Sequence, residues 1–138
     1  MIGNRVIVFL IFALCLFLVG CGDDSVSPGA SIDGVWGADH HELVANVDGA
    51  LLEYDCAHGS IDSELVLDSD GRFDLEGTHT REGGPIDLNN PPDEHPARYQ
   101  GQLLGDRLVL TVTITDTGDV IGPFTLIRGE RGNLYKCL

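Results

Sequence analysis

From residue 32 onward, apolar and polar side chains alternate in short runs, and turn-forming residues interrupt them at intervals of roughly 8 to 12. No stretch places its apolar residues at helical spacing. A period of two with regular turns predicts an all-β domain over residues 32–138, an antiparallel barrel or sandwich of about eight or nine strands.

The runs can be placed from their turns. Residues 32–37 carry the lone tryptophan, Trp36, and residues 41–47 and 50–56 flank Asp48-Gly49, the strongest short-range hairpin signal. Leu52, Tyr54 and Cys56 fall on one face of their run and Glu53 and Asp55 on the other, which directs Cys56 toward the core. Residues 63–67 and 72–80 form a hairpin across the 68–71 turn, and residues 97–104 and 107–115 form another across Gly105-Asp106. In the latter Leu108, Leu110, Val112 and Ile114 alternate with threonines. Residues 122–128 and 133–137 complete the set. The long connection over 82–96 holds Pro85, Pro91, Pro92 and Pro96, which should keep it out of the sheet, and its length suggests either a functional or a disordered loop.

The N-terminus breaks the pattern. Asn4 and Arg5 precede an uninterrupted apolar run over 6–19. As a helix, about 14 residues rise about 21 Å, short of the roughly 30 Å hydrocarbon core, so residues 1–20 predict an export signal helix rather than a span. Leu18-Val19-Gly20-Cys21 resembles the lipobox of bacterial lipoproteins. That resemblance implies cleavage before Cys21, lipidation of Cys21, palmitate included, and a lipid bilayer as partner. A plain secretory leader or an uncleaved anchor are the alternatives. Residues 21–31, the lipidated cysteine and a small polar stretch after it, predict a flexible tether. Asp in the place of Gly22 would mark inner-membrane retention in enteric sorting; glycine there favours the outer membrane over the inner.

Charge narrows the partners. Losing Arg5 with the signal leaves seven basic against 22 acidic residues, a formal charge of −15. Such a surface repels nucleic acid. Beyond Cys21 the exported part keeps two cysteines, and in an oxidising compartment Cys56 and Cys137 form the simplest disulfide; free thiols or a thiol-metal site are the alternatives.

Asp33-Gly34-Val35-Trp36-Gly37, Tyr99-Gln100-Gly101 and Gly105-Asp106-Arg107-Leu108 together resemble the small lipocalin-like lipoproteins of bacteria. The resemblance spans most of residues 32–138. It implies a barrel and an envelope location, makes Trp36 a structural plug at the closed end, and carries over no catalytic residue.

Five histidines invite a metal reading, and His40, His41, His58 and His79 lie at expected strand ends beside carboxylates, a composition that suits zinc or copper. None of them has the spacing of a known metal motif. No nucleophile elbow, phosphate-cradling loop or Cys-X-X-Cys is present, so hydrolysis finds no machinery. Two functions follow: a noncatalytic envelope module that binds a small apolar ligand or an envelope protein or simply stabilises the envelope, or a histidine-based zinc or copper binder or metal-dependent enzyme. The bulky inward sets predict an interior filled by side chains, with any binding left to the rim and the long loop.

Overall fold

The computed structural model describes residues 26–83 and 88–137. Its ten strands are β1 (Ser31–Ile32), β2 (Gly34–Ala38), β3 (His41–Asn46), β4 (Gly49–Tyr54), β5 (Ala57–Ile61), β6 (Leu65–Val66), β7 (Arg72–Arg81), β8 (Asp93–Leu104), β9 (Arg107–Ile114) and β10 (Val120–Arg128). Eight close an antiparallel barrel in the order β10-β2-β3-β4-β5-β7-β8-β9, while β1 pairs with β6 in a separate two-stranded sheet. The barrel, not the sandwich, is the architecture, and closure leaves it no free sheet edge. The expected signal helix and Cys21 lie outside the described residues.

Pairing redraws several of the predicted runs. The 32–37 run divides at Asp33-Gly34, where Gly34 adopts φ 81°, so that β1 leaves the barrel and only β2 enters it. The 50–56 run ends at Tyr54. Cys56, at φ 58°, forms a tight turn with Asp55, and β5 begins immediately after it. Cys56 therefore sits half-buried on the rim rather than in the core, because the turn takes it out of the strand alternation. The 63–67 run shrinks to β6 and joins β1, and the Asp68 carboxylate accepts the backbone N–H groups of Asp70 and Arg72 to turn the chain into β7. The 133–137 run is not a strand; Asn133 makes one parallel bridge, to Asp39.

The long loop is shorter than expected because β8 starts at Asp93 and takes Pro96 into the sheet opposite Thr78. The Pro96 carbonyl accepts from the Thr115 N–H, just past the end of β9. Its ring nitrogen faces the same side, where no strand continues, so the missing donor interrupts no ladder. Residues 84–87 of this loop lie outside the described residues.

The strand directions give the barrel two unlike ends. At one end lie the 47–48 and 105–106 turns, the start of β2 and the chain between β5 and β7. Here the β1–β6 flap covers the opening, with Ile32, Leu65 and Leu67 buried. Part of the expected tether docks here as well: Gly29 N–H donates to the Leu67 carbonyl (2.9 Å), Leu67 N–H to the Ala30 carbonyl (2.8 Å), and Val26 packs on the core. Among the described residues the folded unit thus takes in residues 26–31 ahead of the expected start.

Trp36 is fully buried near this end, its indole N–H donating to the Asp33 carbonyl (2.9 Å) and its ring lying 4.3 Å beneath the Arg128 guanidinium. Above it Leu43, Leu52, Tyr99, Leu108, Leu110, Val112 and Leu126 fill the interior. Space for Tyr99 comes from glycine. Its hydroxyl donates to the Thr78 carbonyl (2.5 Å), and a Cβ on Gly59 would overlap that hydroxyl. Gly59→Ala should therefore destabilise the barrel by about 1–3 kcal/mol, the range for overpacking, and less in a Tyr99→Phe background. Urea unfolding of the four proteins measures the coupling; equal losses in both backgrounds would show that the two groups do not meet.

After β10 the chain turns back along the outside of β2. Gly129 N–H donates to the Val35 carbonyl (2.7 Å), His40 N–H to Asn133 (3.1 Å), and Gly132 N–H to the Glu42 carboxylate (2.8 Å). Bare backbone at Gly37 permits this approach, since a Cβ there would strike the Arg131 backbone. The strap reaches the other end of the barrel, where Cys137 is joined to Cys56 by a disulfide with Cα atoms 4.8 Å apart. Barrel and flap share one continuous core, as an independently folding unit requires, and the strap is tied to them by backbone hydrogen bonds and the disulfide.

Candidate functional site

The uncovered end of the barrel carries the 39–40, 55–56 and 115–119 turns and the loop after β7. Between them opens a cleft of about 490 Å³ lined by side chains that include His41, Tyr54, His79, Arg81 and Ile121. The interior below is filled by side chains, as expected, and the open space lies at the rim, where inward positions carry aromatic rings.

Parity of the strands decides which histidines reach the cleft. His41 shares the inward face of β3 with Leu43 and Ala45, and its ring stacks on Phe124 (centroids 4.1 Å apart, 20° between planes). Tyr54, inward on β4, stands edge-on to His41 (5.7 Å), Phe124 (6.2 Å) and His79 (5.3 Å). His79, inward on β7, is only 3% exposed.

His58 alternates with the inward Ala57 and Gly59 and so faces out, where it meets Glu82 (2.6 Å); His40 lies in the β2–β3 turn at φ 68° and binds Asp55 (2.6 Å). Of the four histidines read as metal ligands, His41 and His79 enter the cleft from strands and His40 lines it from the turn at its rim, while His58 faces the outer wall. Among the described residues no three His, Cys, Asp or Glu side chains group to hold a metal ion.

His95, left out of that set, bridges Asp116 (2.7 Å) and Asp93 (3.0 Å), and these carboxylates, Asp116 first, raise its pKa above the ordinary histidine value. This clasp fastens the start of β8 to the β9–β10 turn. Nothing in the spacing of His95 and Asp116 announces it, because 21 residues separate them.

Two groups in the cleft lack partners. His79 Nδ1 is buried with no hydrogen bond, and Tyr54 Oη, 5% exposed as a residue, has none of good geometry, although the neighbouring Tyr99 hydroxyl, which donates to Thr78, keeps lone pairs that can accept from it. Buried polar groups are nearly always satisfied, so orphans call for an explanation. Both are neutral near pH 7. Burial, then the charge of Arg81, holds the His79 imidazole below its ordinary value, and burial, then Tyr99, pushes the Tyr54 phenol up.

The carboxylates of the rim are engaged. Asp55 accepts the Tyr135 N–H (2.7 Å) besides His40, and that backbone bond is the first cause of its lowered pKa. Glu82, lowered chiefly by the bond from His58, also receives the Lys136 ammonium (3.2 Å), which reaches Glu53 as well. These contacts pin the strap and leave the floor of the cleft uncharged.

A second groove, about 800 Å³, lies on the outer face of β7, β8 and β9. Its side chains are outward ones such as Asp74 and Gln100, bonded to each other (3.1 Å), with Asp74 also held by Arg98. It contains none of the buried unsatisfied atoms. The mouth is therefore the site that the side chains single out. No protein family, curated protein or solved structure that was compared matches this chain.

Proposed function

We propose that this protein is a lipid-anchored lipoprotein of the bacterial cell envelope whose barrel is a noncatalytic binding module acting through its open mouth. The observation that carries the reading is the cleft itself: one end of a closed barrel is capped and filled, and the other opens beside buried polar groups of Tyr54 and His79 that have no hydrogen bond of good geometry. A volume of about 490 Å³ falls within the roughly 300 to 1,000 Å³ of small-molecule sites.

The anchor is supported by Leu18-Val19-Gly20-Cys21 and by the polar residues after it, and Gly22 favours the outer membrane. Topology adds an orientation. The chain enters the barrel at the capped end, so an anchor at Cys21 would hold that end toward the bilayer and turn the mouth away from it. Likeness to lipocalin-like lipoproteins, read from the turn and Gly-X-Trp motifs, supports the same assignment.

Expressed in a bacterial host, the full chain should incorporate radioactive palmitate and partition into detergent, and Cys21→Ser should abolish both. Labelling that survives the substitution would refute the anchor.

A further inference from the structure

We infer that the rim of the mouth is a proton-operated clasp, in which the bridges His40–Asp55, His58–Glu82 and His95–Asp116 hold neighbouring strands together while their imidazoles are charged and slacken as those imidazoles lose their protons. Such a clasp regulates access to the cleft, and in that use it rests on the binding-module reading.

The placement of the bridges carries the inference. At the mouth the chain itself joins β2 to β3, β4 to β5, β7 to β8 and β9 to β10. Around the closed barrel this leaves the seams β3/β4, β5/β7, β8/β9 and β10/β2 with no covalent turn at this end. His40–Asp55 (2.6 Å) lies one residue past the last β3–β4 pair, His41–Tyr54. His58–Glu82 (2.6 Å) crosses β5/β7, with Glu82 just past β7, and His95–Asp116 (2.7 Å) crosses β8/β9, with Asp116 just past β9. The remaining seam is spanned from β3 to β10 by the His41 ring stacked on Phe124. Every seam that the chain leaves open at the mouth is thus bridged by a histidine.

The carboxylates are the constant members of the bridges. Asp55 is held below the ordinary carboxylate range first by the Tyr135 N–H, Glu82 first by the bond from His58, and Asp116 first by the bond from His95. Histidine is the side chain that ordinarily changes charge between about pH 5 and 8, and a charged donor makes such a bond roughly twice as strong. A neutral imidazole also keeps only one N–H, so His95, which needs two to hold both Asp116 and Asp93, must release one of them.

The charges facing each ring set the sign. His40 faces Asp55, with Asp39 and His41 beside it in the chain; His58 faces Glu53 of β4 and Glu82, which share the Lys136 ammonium; His95 faces Asp93, Asp116 and, across the ladder on β7, His79. The pKa of His95 is raised, by Asp116 first and then Asp93, so its contribution is present below the ordinary histidine value and lost as pH rises through its own. His79 is lowered by burial first and then by Arg81; its contribution is present above the ordinary value and fades as pH falls toward its own. Three bridges at the rim therefore work against one buried imidazole.

The test uses the full protein in a nonionic detergent with no ligand added. Amide hydrogen exchange, corrected for the intrinsic rate at each pH, should show protection at the mouth-end pairs His41–Tyr54, Ala57–Arg81 and Ala97–Ile114 falling at least about threefold between pH 6 and pH 8.5, while the capped-end pairs Asn46–Gly49 and Leu104–Arg107 keep theirs. The triple variant His40→Asn, His58→Gln, His95→Gln, whose amides still donate but never carry charge, should stay at the high-pH level throughout; Asn at position 40 suits φ 68°. Each single variant should lose the dependence at its own seam alone, which decides the matter if the triple variant does not fold.

Mouth-end protection that is flat or rises with pH would overturn the inference, a rise meaning that His79 dominates. So would an equal fall at the capped end, or a fall that survives at the substituted seam. With no ligand present, these results refute the clasp and leave the binding-module reading standing, whereas a mouth that binds no small molecule would remove the use and leave the pH dependence.

Discussion

Replacing Cys137 with alanine is expected to lower the thermal unfolding midpoint of the oxidised protein by more than about 10 °C. The Cys56–Cys137 bridge spans 81 residues and closes the chain from β5 to the end of the strap into one covalent loop, with β1 to β4 outside it. The chain-entropy argument assigns a loop of this length roughly 4 to 5 kcal/mol, an upper figure because strain and residual denatured structure subtract from it. At about 4 °C or more per kcal/mol for a domain near 100 residues, two thirds of that already exceeds about 10 °C.

Cys137 is the better partner to remove, because Cys56 occupies a turn at φ 58° where a substitution would add backbone effects of its own. The native protein should also be inert to a thiol reagent until it is reduced. Two titratable thiols in the oxidised protein, or a midpoint unmoved by Cys137→Ala, would show that the bridge does not hold the barrel. Local consequences should be largest on the strap, whose remaining ties at Asp55, Glu53 and Glu82 are half-exposed ion pairs and hydrogen bonds of small individual worth.

Trp36→Ala should be comparably severe. The ring is fully buried, is the largest side chain in the core, and makes an indole N–H bond to Asp33 that binds the capped end to the start of β2. Truncation of a buried aromatic costs about 3 to 5 kcal/mol, a large part of the 5 to 15 kcal/mol that typically separates folded from unfolded states. Arg128 would lose the ring beneath it, a smaller contribution of about 0.5 to 1 kcal/mol for an exposed guanidinium.

Trp36→Phe keeps much of the volume and should lose less, so it supplies a folded comparison if the alanine protein is too unstable to purify. Urea unfolding followed by far-ultraviolet circular dichroism measures both. A Trp36→Ala loss below about 1 kcal/mol would contradict a role in the core. In the unaltered protein the emission of this lone tryptophan reports the capped end and should be insensitive to ligands at the mouth.

The alternation of residues 108, 110, 112 and 114, the Asp48-Gly49 and Gly105-Asp106 turns and the polar spacing between runs were enough to define an all-β domain, because strand period and turn chemistry are local properties of the chain. The pairing of Cys56 with Cys137 was legible for another reason: they are the two cysteines within residues 32–138, so that stretch allows only one bridge of its own. What escaped the sequence lay where small residues or distant partners decide. Strand β5 is built on Ala57 and Gly59, whose inward positions hold no bulky side chain to mark them, since Gly59 makes room for Tyr99 from a strand 40 residues away.

Pro96 argued for a loop, but its missing N–H faces the place where β9 has already ended, a circumstance set by register with another strand. The histidines show the division most clearly. Composition singled out four of them, and only the closed barrel determined that His41 and His79 share the mouth with Tyr54, that His40 borders it from a turn, and that His58 faces outward. A sequence specifies which faces are apolar; which side chains meet across an interior depends on the register at which eight strands close, and that is settled by all their contacts together.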